Sequence, residues 1–304
     1  MDLPSVCCVI STLGQRPPEL ARTIGSVLDQ RRLDGGALAV ETVVVGDGVP
    51  LPVLPEVPAG SPSVVRGIEL AENLGIPGAR NAGIAATTGD LVVVLDDDGW
   101  LPDAEVLDRV RRQFAADPRL GIVSLRIVDP ESGTTQRRHV PRLGDSDPLR
   151  SSDVTIFQGG ACVLRRTMLQ SCARPDGPLP GRFVYGHEET DLAWRALDAG
   201  WRIRYDADAV MNHPATSPAR HATYYRLNAR NRVWVARRNL PAALVPVYLG
   251  LWAVIMVVRL RALTPLRTWF AGFLEGWRTD PGLRRPMRWS TVWRMTRLGR
   301  PPIL

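Results

Sequence analysis

The run Leu91-Val92-Val93-Val94-Leu95 offers no polar side chain to either face of a strand. Strand side chains alternate sides, so a strand with one wet face shows alternating polarity, and a run apolar on both faces must be covered on both. That is the setting of a central strand in a parallel sheet with helices above and below. The neighbouring sequence fits the same setting. Ser5–Ser11 and Val40–Val45 read as further buried strands, with a shorter one near Val64–Ile68 and another over Gly121–Val128. Helical patterns separate them. Pro17 and Pro18 suit a first turn, after which Leu20, Ile24, Val27 and Leu28 share one face. Pro77–Thr88 is a helix rich in small residues, and Val106, Leu107, Val110 and Phe114 point inward from another. This alternation predicts an α/β fold with a mostly parallel, helix-flanked sheet.

Beyond residue 130 the pattern loosens. Pro130–Arg150 reads as a polar loop, Val154–Arg165 as strand-like around Gly159-Gly160, and Glu188–Ala199 as a helix stopped by Gly200. Trp201, Ile203 and Tyr205 alternate as in a strand, and Arg220–Asn239 reads as a helix dense in arginine. The expected division is a catalytic domain over 1–215 (halves 1–128 and 129–215) and a helical region over 216–304.

Charge divides at nearly the same place. All 38 basic residues are arginine, which we ascribe to codon usage. Residues 1–213 carry 22 arginines against 29 acids, a net −7, whereas residues 214–304 carry 16 against 2, a net +14. Such a tail suits an anionic surface, either lipid headgroups or nucleic acid. Cys7, Cys8, Cys162 and Cys172 lack metal-site spacing and are expected as reduced core residues of a cytosolic protein. The N-terminus lacks the basic start and apolar stretch of a signal peptide, so the N-terminal domain is expected to stay in the cytoplasm.

Five features can carry chemistry. Leu95 runs directly into Asp96-Asp97-Asp98-Gly99, beyond the carboxyl end of a strand, where open α/β sheets bind ligands. Three adjacent carboxylates suit a hard divalent cation that also meets substrate phosphates; the plainer reading is a solvated acidic turn. Asn73–Gly83 opens a helix with Gly75, Gly78 and Pro77, and a helix N-terminus attracts phosphate; Arg80 can add charge-assisted contacts. Asp47, after the second strand, can accept hydrogen bonds from a base or ribose, or simply belong to a Gly-Asp-Gly turn. Glu188-Glu189-Thr190-Asp191 offers either helix capping or a general base. His213, following a strand, is a candidate metal ligand.

Taken together the chain resembles the family 2 glycosyltransferases with the GT-A fold, over about residues 5–240. Four pieces match in order: Val9-Ile10-Ser11-Thr12; Asp47; Asn73–Gly83 with Asp96-x-Asp98; and Glu188-Glu189-x-Asp191-Leu192 followed by Trp201–His213. Within the family it looks like bacterial rhamnosyl- and galactosyltransferases of cell-envelope glycan synthesis. The resemblance implies inverting transfer from a UDP- or dTDP-sugar to a glycan or polyprenyl-lipid-linked acceptor. Thr12, Arg16, Asp47, Asn73, Gly75, Arg80 and Asn81 would surround the nucleotide, with Asp96, Asp97, Gly159 and Gly160. Asp96 and Asp98, completed by His213, would hold Mg²⁺ or Mn²⁺. Glu189 would take the acceptor proton, with Asp191 near the acceptor sugar. The family usually has Glu-Asp or Asp-Asp where this chain has Glu188-Glu189, so the base lies among Glu188, Glu189 and Asp191. The frequent proline before Thr12 is also missing.

Leu240–Val258 is uncharged and as a helix would span about 28 Å, close to the apolar thickness of a bilayer. Pro241, Pro246 and Gly250 interrupt it, and a crossing would strand the ten arginines from Arg259 to Arg300 on the far side. An interfacial tail on the cytoplasmic membrane face fits better, with a buried soluble helix as the alternative and nucleic acid not expected as a partner. Two other functions are open: a sugar nucleotidyltransferase, whose Gly-rich basic loop would have to be Leu13-Gly14-Gln15-Arg16, and an inactive nucleotide-sugar-binding protein. A dehydrogenase is disfavoured, since no Gly-x-Gly-x-x-Gly follows the first strand.

Overall fold

A computed structural model describes residues 3–215 and 223–303. Its centre is an eight-stranded sheet of β1 (Val6–Thr12), β2 (Val40–Gly46), β3 (Val64–Glu69), β4 (Leu91–Asp96), β5 (Leu120–Val128), β6 (Ser152–Asp153), β7 (Ala161–Arg165) and β8 (Arg202–Asn212). The order across the sheet is β3-β2-β1-β4-β7-β5-β8-β6. β7 runs antiparallel to both neighbours and β6 antiparallel to β8, while the other pairings are parallel. Leu91–Leu95 is buried throughout, as its double-sided apolar run requires.

Each face carries its own core. One sets Ile10, Val44, Val93 and Leu95 against α1 (Pro17–Leu28) and α3 (Val106–Ala116). The other sets Val9, Val45, Val94 and Cys162 against α2 (Gly75–Ala85), α4 (Arg166–Cys172) and α5 (Glu188–Asp198). This second core continues without a break into the C-terminal helices, α6 (Tyr224–Asn239), α7 (Leu244–Arg259), α8 (Leu263–Arg278) and α9 (Trp289–Arg297), through Val233, Val235, Tyr248 and Met295. The four cysteines are buried and free, in agreement with the sequence.

The α5–α6 junction is polar. Asp191 is fully buried and accepts bonds from Arg195 (2.8 Å), Arg238 (3.0 Å) and Asn239 (2.7 Å), with Arg174 at 3.9 Å. On α6, Asn231 donates to the carbonyls of Phe183, Tyr185 and Gly186, fixing the loop that leads into α5.

Three expectations shift. Val154–Arg165 is a strand only over Ala161–Arg165, with Gly159-Gly160 forming the turn that leads into it beside Asp96. The arginine-rich helix is described from Tyr224, and its expected start at Arg220 lies outside the described residues. The uncharged stretch forms α7 only from Leu244, after Pro241. Among the described residues no helix is long and apolar enough to cross a membrane.

Candidate active site

Register explains why the polar residues converge. Thr12 pairs with Gly46 and Ser11 with Asp96, so β1, β2 and β4 end on one line. The Asp47 amide donates to the Thr12 carbonyl (3.0 Å). The parallel strands thus deliver Thr12, Asp47 and Asp96 to one edge, the edge where open α/β sheets bind ligands. A cleft of about 470 Å³ opens there, within the usual range for a small-molecule site. Thr12, Arg16, Asp47, Asn73, Gly75, Asp96, Asp97, Asp98 and His213 border it.

The acidic triplet is only partly neutralised. Asp96 meets the buried guanidinium of Arg80 at 3.0 Å, and Arg80 also reaches Glu188 at 3.4 Å. Asp98 pairs with Arg16 and with His213 Nε2 (3.0 Å), which lies 3.9 Å from Asp96. Asp97 accepts from the Thr12 hydroxyl at 2.6 Å. Burial pushes the Asp97 carboxyl up against that bond. For Asp98 burial acts the same way, but the His213 bond and the charges of His213 and Arg16 outweigh it and hold the group low. Arg16 and Arg80 thus each pair with a site carboxylate, Arg16 on the cleft border and Arg80 buried behind Asp96.

Asn73 and Asp47 shape the start of α2. Asn73 Oδ1 accepts from the Gly75 amide (2.9 Å), and Asp47 Oδ1 from the Leu74 amide (2.7 Å). Gly75 has φ +72°, and a β-carbon there would strike the Val184 carbonyl; glycine is the residue that occupies such backbone at little strain. Val184 (φ 62°) and His187 (φ 71°) are themselves left-handed without being glycine, a strain held in place by α6. Asn81 faces elsewhere: it exchanges bonds with Leu179 (2.8 and 2.9 Å), fastening α2 to the segment before α5.

Gly159 and Gly160 make room for site carboxylates. A β-carbon on Gly160 would collide with the Asp96 carboxylate, and one on Gly159 with Glu189 Oε1. The Asp96 amide donates to the Gly160 carbonyl (3.1 Å), so the antiparallel strand β7 brings Glu189 and Asp96 to two adjacent glycines. Burial pushes both Glu188 and Glu189 up; for Glu188 the neighbouring Glu189 charge adds to it, and Arg80 opposes the rise in both. Glu188 is buried, with Oε1 toward Arg80 and Oε2 sealed without a partner, while Glu189 is half-buried. Asp191 points into the α5–α6 junction, its oxygens already held there.

Among the described residues no three His, Cys, Asp or Glu side chains already stand as a metal shell. The donor chemistry nonetheless fits one. His213 Nδ1 lies 2.7 Å from the Pro214 carbonyl. A carbonyl can only accept, so Nδ1 carries the proton and, in the neutral ring, Nε2 turns a lone pair toward two carboxylates. Acceptors facing acceptors need a proton or a cation between them, and an imidazole oriented by its second nitrogen is the usual metal-ready form. Sequence reasoning missed Ile76, Val184, Tyr185, Thr223 and Leu227 on the cleft wall. They come from loops and a helix far apart in the chain and carry no local signal.

The model of glycosyl transferase family 2 matches residues 7–172, more than half the chain. The pre-mycofactocin glycosyltransferase of Mycobacterium tuberculosis is 28% identical over 221 residues, covering 68% of this chain but only 42% of that relative. An uncharacterised glycosyltransferase of Nostoc sp. is also 28% identical, covering 70% of this chain and 62% of the relative. Two solved structures share the fold. The mannosyltransferase PcManGT from Pyrobaculum calidifontis, in complex with GDP-Man and Mn²⁺, aligns with TM-score 0.55 and 20% identity over 92% of this chain and 77% of its own. S. aureus TarS in complex with UDP-GlcNAc aligns with TM-score 0.57 and 12% identity over 90% and 81%. On this match and this GT-A architecture, the chain belongs to glycosyl transferase family 2.

Proposed function

We propose that the chain is an inverting glycosyltransferase acting on a nucleotide-diphosphate sugar, with Glu189 as the base. The observation that carries this reading is the convergence of Asp96, Asp98 and His213 in a cleft walled by Asp47 and the start of α2, with Arg80 paired to Asp96 and Glu189 packed beside it against Gly159. Asp47, Asn73 and Thr12 lie where a nucleoside would rest. Asp96, Asp98 and His213 would hold Mg²⁺ or Mn²⁺, as the Mn²⁺ in the mannosyltransferase complex also suggests. When bound, the cation would offset charge on the departing diphosphate.

The chemistry of the protein's own residues follows from their surroundings. Glu189 takes the proton of an acceptor hydroxyl as its oxygen forms a bond to the anomeric carbon. The bond from that carbon to the diphosphate oxygen breaks on the opposite face, and its electron pair leaves with the nucleotide. A carboxylate pushed up by burial is a stronger base than a solvated one, and the Arg80 charge opposes part of that rise. Glu188 serves Arg80, and Asp191 positions α5. The acceptor is a lipid-linked glycan, with the enzyme on the cytoplasmic face of the membrane, which the basic C-terminal region supports.

The test is product analysis by mass spectrometry with UDP-, dTDP- and GDP-sugars and glycan or lipid-linked acceptors. Glu189→Gln should still bind donor and lose transfer by about a hundredfold or more; full transfer by that variant would move the base to Glu188.

A further inference from the structure

We propose that the α7–α8 hairpin is a docking element for an anionic bilayer surface, and that it turns the mouth of the cleft toward that surface. This deepens the reading above, on which the acceptor's location rests.

The first half of α7 is anchored and the second half is bare. Its buried residues are Val245, Tyr248 and Leu249. Arg232 of α6 donates to the Tyr248 hydroxyl (3.0 Å) and stacks 3.5 Å over the Trp252 ring. Past Trp252 the helix stays uncharged as far as Val258, yet Val254, Val257 and Val258 are exposed, Val258 to 71%. With Val247 they form one stripe at helical spacing, which Leu263 of α8, 69% exposed, continues. An apolar stripe of this kind on a monomer marks an interaction surface.

Charge identifies the partner. No Asp or Glu occurs between residues 214 and 274, whereas Arg259, Arg261 and Arg267 stand exposed around the turn. A second copy pressed on this face would set arginine against arginine. An anionic bilayer accepts the valines below its headgroups and meets the arginines at them.

The direction of the helices places this tip. α7 turns back along α6, so its bare half approaches the end of α6 where Thr223 and Leu227 border the cleft. α8 runs the same way as α6, with Gly272 against Arg226 and Gly276 against Arg230. Its first turns therefore extend about 13 Å beyond that contact, past the start of α6. The tip and the cleft mouth share one end of the molecule.

Vesicle flotation of the full chain tests this, using phosphatidylcholine vesicles and vesicles of equal phosphatidylcholine and phosphatidylglycerol. The wild type should float with the anionic vesicles. Val254→Asp with Val258→Asp, both on the exposed face, should lower binding by about tenfold or more. Arg259→Gln with Arg261→Gln should lower it on the order of twentyfold. Donor binding and melting temperature should not change in either variant. Wild-type protein that stays unbound with both vesicle types overturns the proposal, as does a dimer that the valine substitutions dissociate. Vesicle binding without nucleotide-sugar binding would keep this proposal and sink the catalytic one.

Discussion

Two acidic centres lie on either side of α5, and their charge balances are opposite. Four carboxylates (Asp47, Asp96, Asp97, Asp98) border the cleft against Arg16 and His213, and behind Asp96 the single guanidinium of Arg80 meets Glu188, with Glu189 beside it. At the α5–α6 junction, Asp191 and Asp176 face three arginines, Arg174, Arg195 and Arg238. The junction is complete in itself: each Asp191 oxygen is bonded, which is what a buried carboxylate requires. The cleft is left short of positive charge, in a half-exposed place that a ligand can reach. Identical residue types are thus saturated with partners in one place and left short of them in the other.

The largest effect to test this contrast is on the junction. Asp191→Ala leaves buried guanidiniums unpaired and should lower stability by about 3–5 kcal/mol, read as a fall in melting temperature; an unchanged melt would show that the junction is not scaffold. Substitutions in the cleft should do the reverse. Glu189→Gln should cut transfer by about a hundredfold or more without lowering the melt, since it removes one of several crowded acids. A clear loss of stability would make Glu189 a second Asp191. Gly160→Ala should displace Asp96 and weaken donor binding in the presence of metal by roughly tenfold, as expected when a site carboxylate shifts by an ångström; calorimetry reads it, and wild-type affinity would sever Gly160 from the site.

The smallest effect is on pH dependence. The Glu188 carboxyl is raised in the folded state above its ordinary 4.5 by burial and by Glu189. The native form then holds a proton that the unfolded chain releases, so this contribution is fully present below 4.5 and is lost as pH rises through the raised value. Melting temperature should fall over that window in the wild type and fall less in Glu188→Gln; equal slopes would mean that Arg80 fully compensates Glu188.

Much of this was legible in sequence because local rules decide it. The double-sided apolar run of Leu91–Leu95 fixed a central strand, and the acids that follow had to emerge at its carboxyl end. The grouping of Asp47, the Asn73 segment and the triplet follows from parallel strands ending together. What stayed hidden depends on long-range packing. That Gly160 exists for Asp96 requires knowing that an antiparallel strand inserts between β4 and β5. That Asp191 belongs to scaffold requires Arg238 and Asn239, almost fifty residues on. The exposed half of α7 could not be told from a buried helix by its composition, since both are uncharged and apolar.

The most direct test of the central claim is calorimetric titration of the full chain with UDP-, dTDP- and GDP-sugars, with and without Mn²⁺, in the wild type and in Asp98→Asn. The account predicts that one donor class binds the wild type with Mn²⁺, binds at least tenfold more weakly without it, and loses the metal dependence in Asp98→Asn. Failure of every donor to bind, or binding unaffected by both Mn²⁺ and Asp98→Asn, would contradict it.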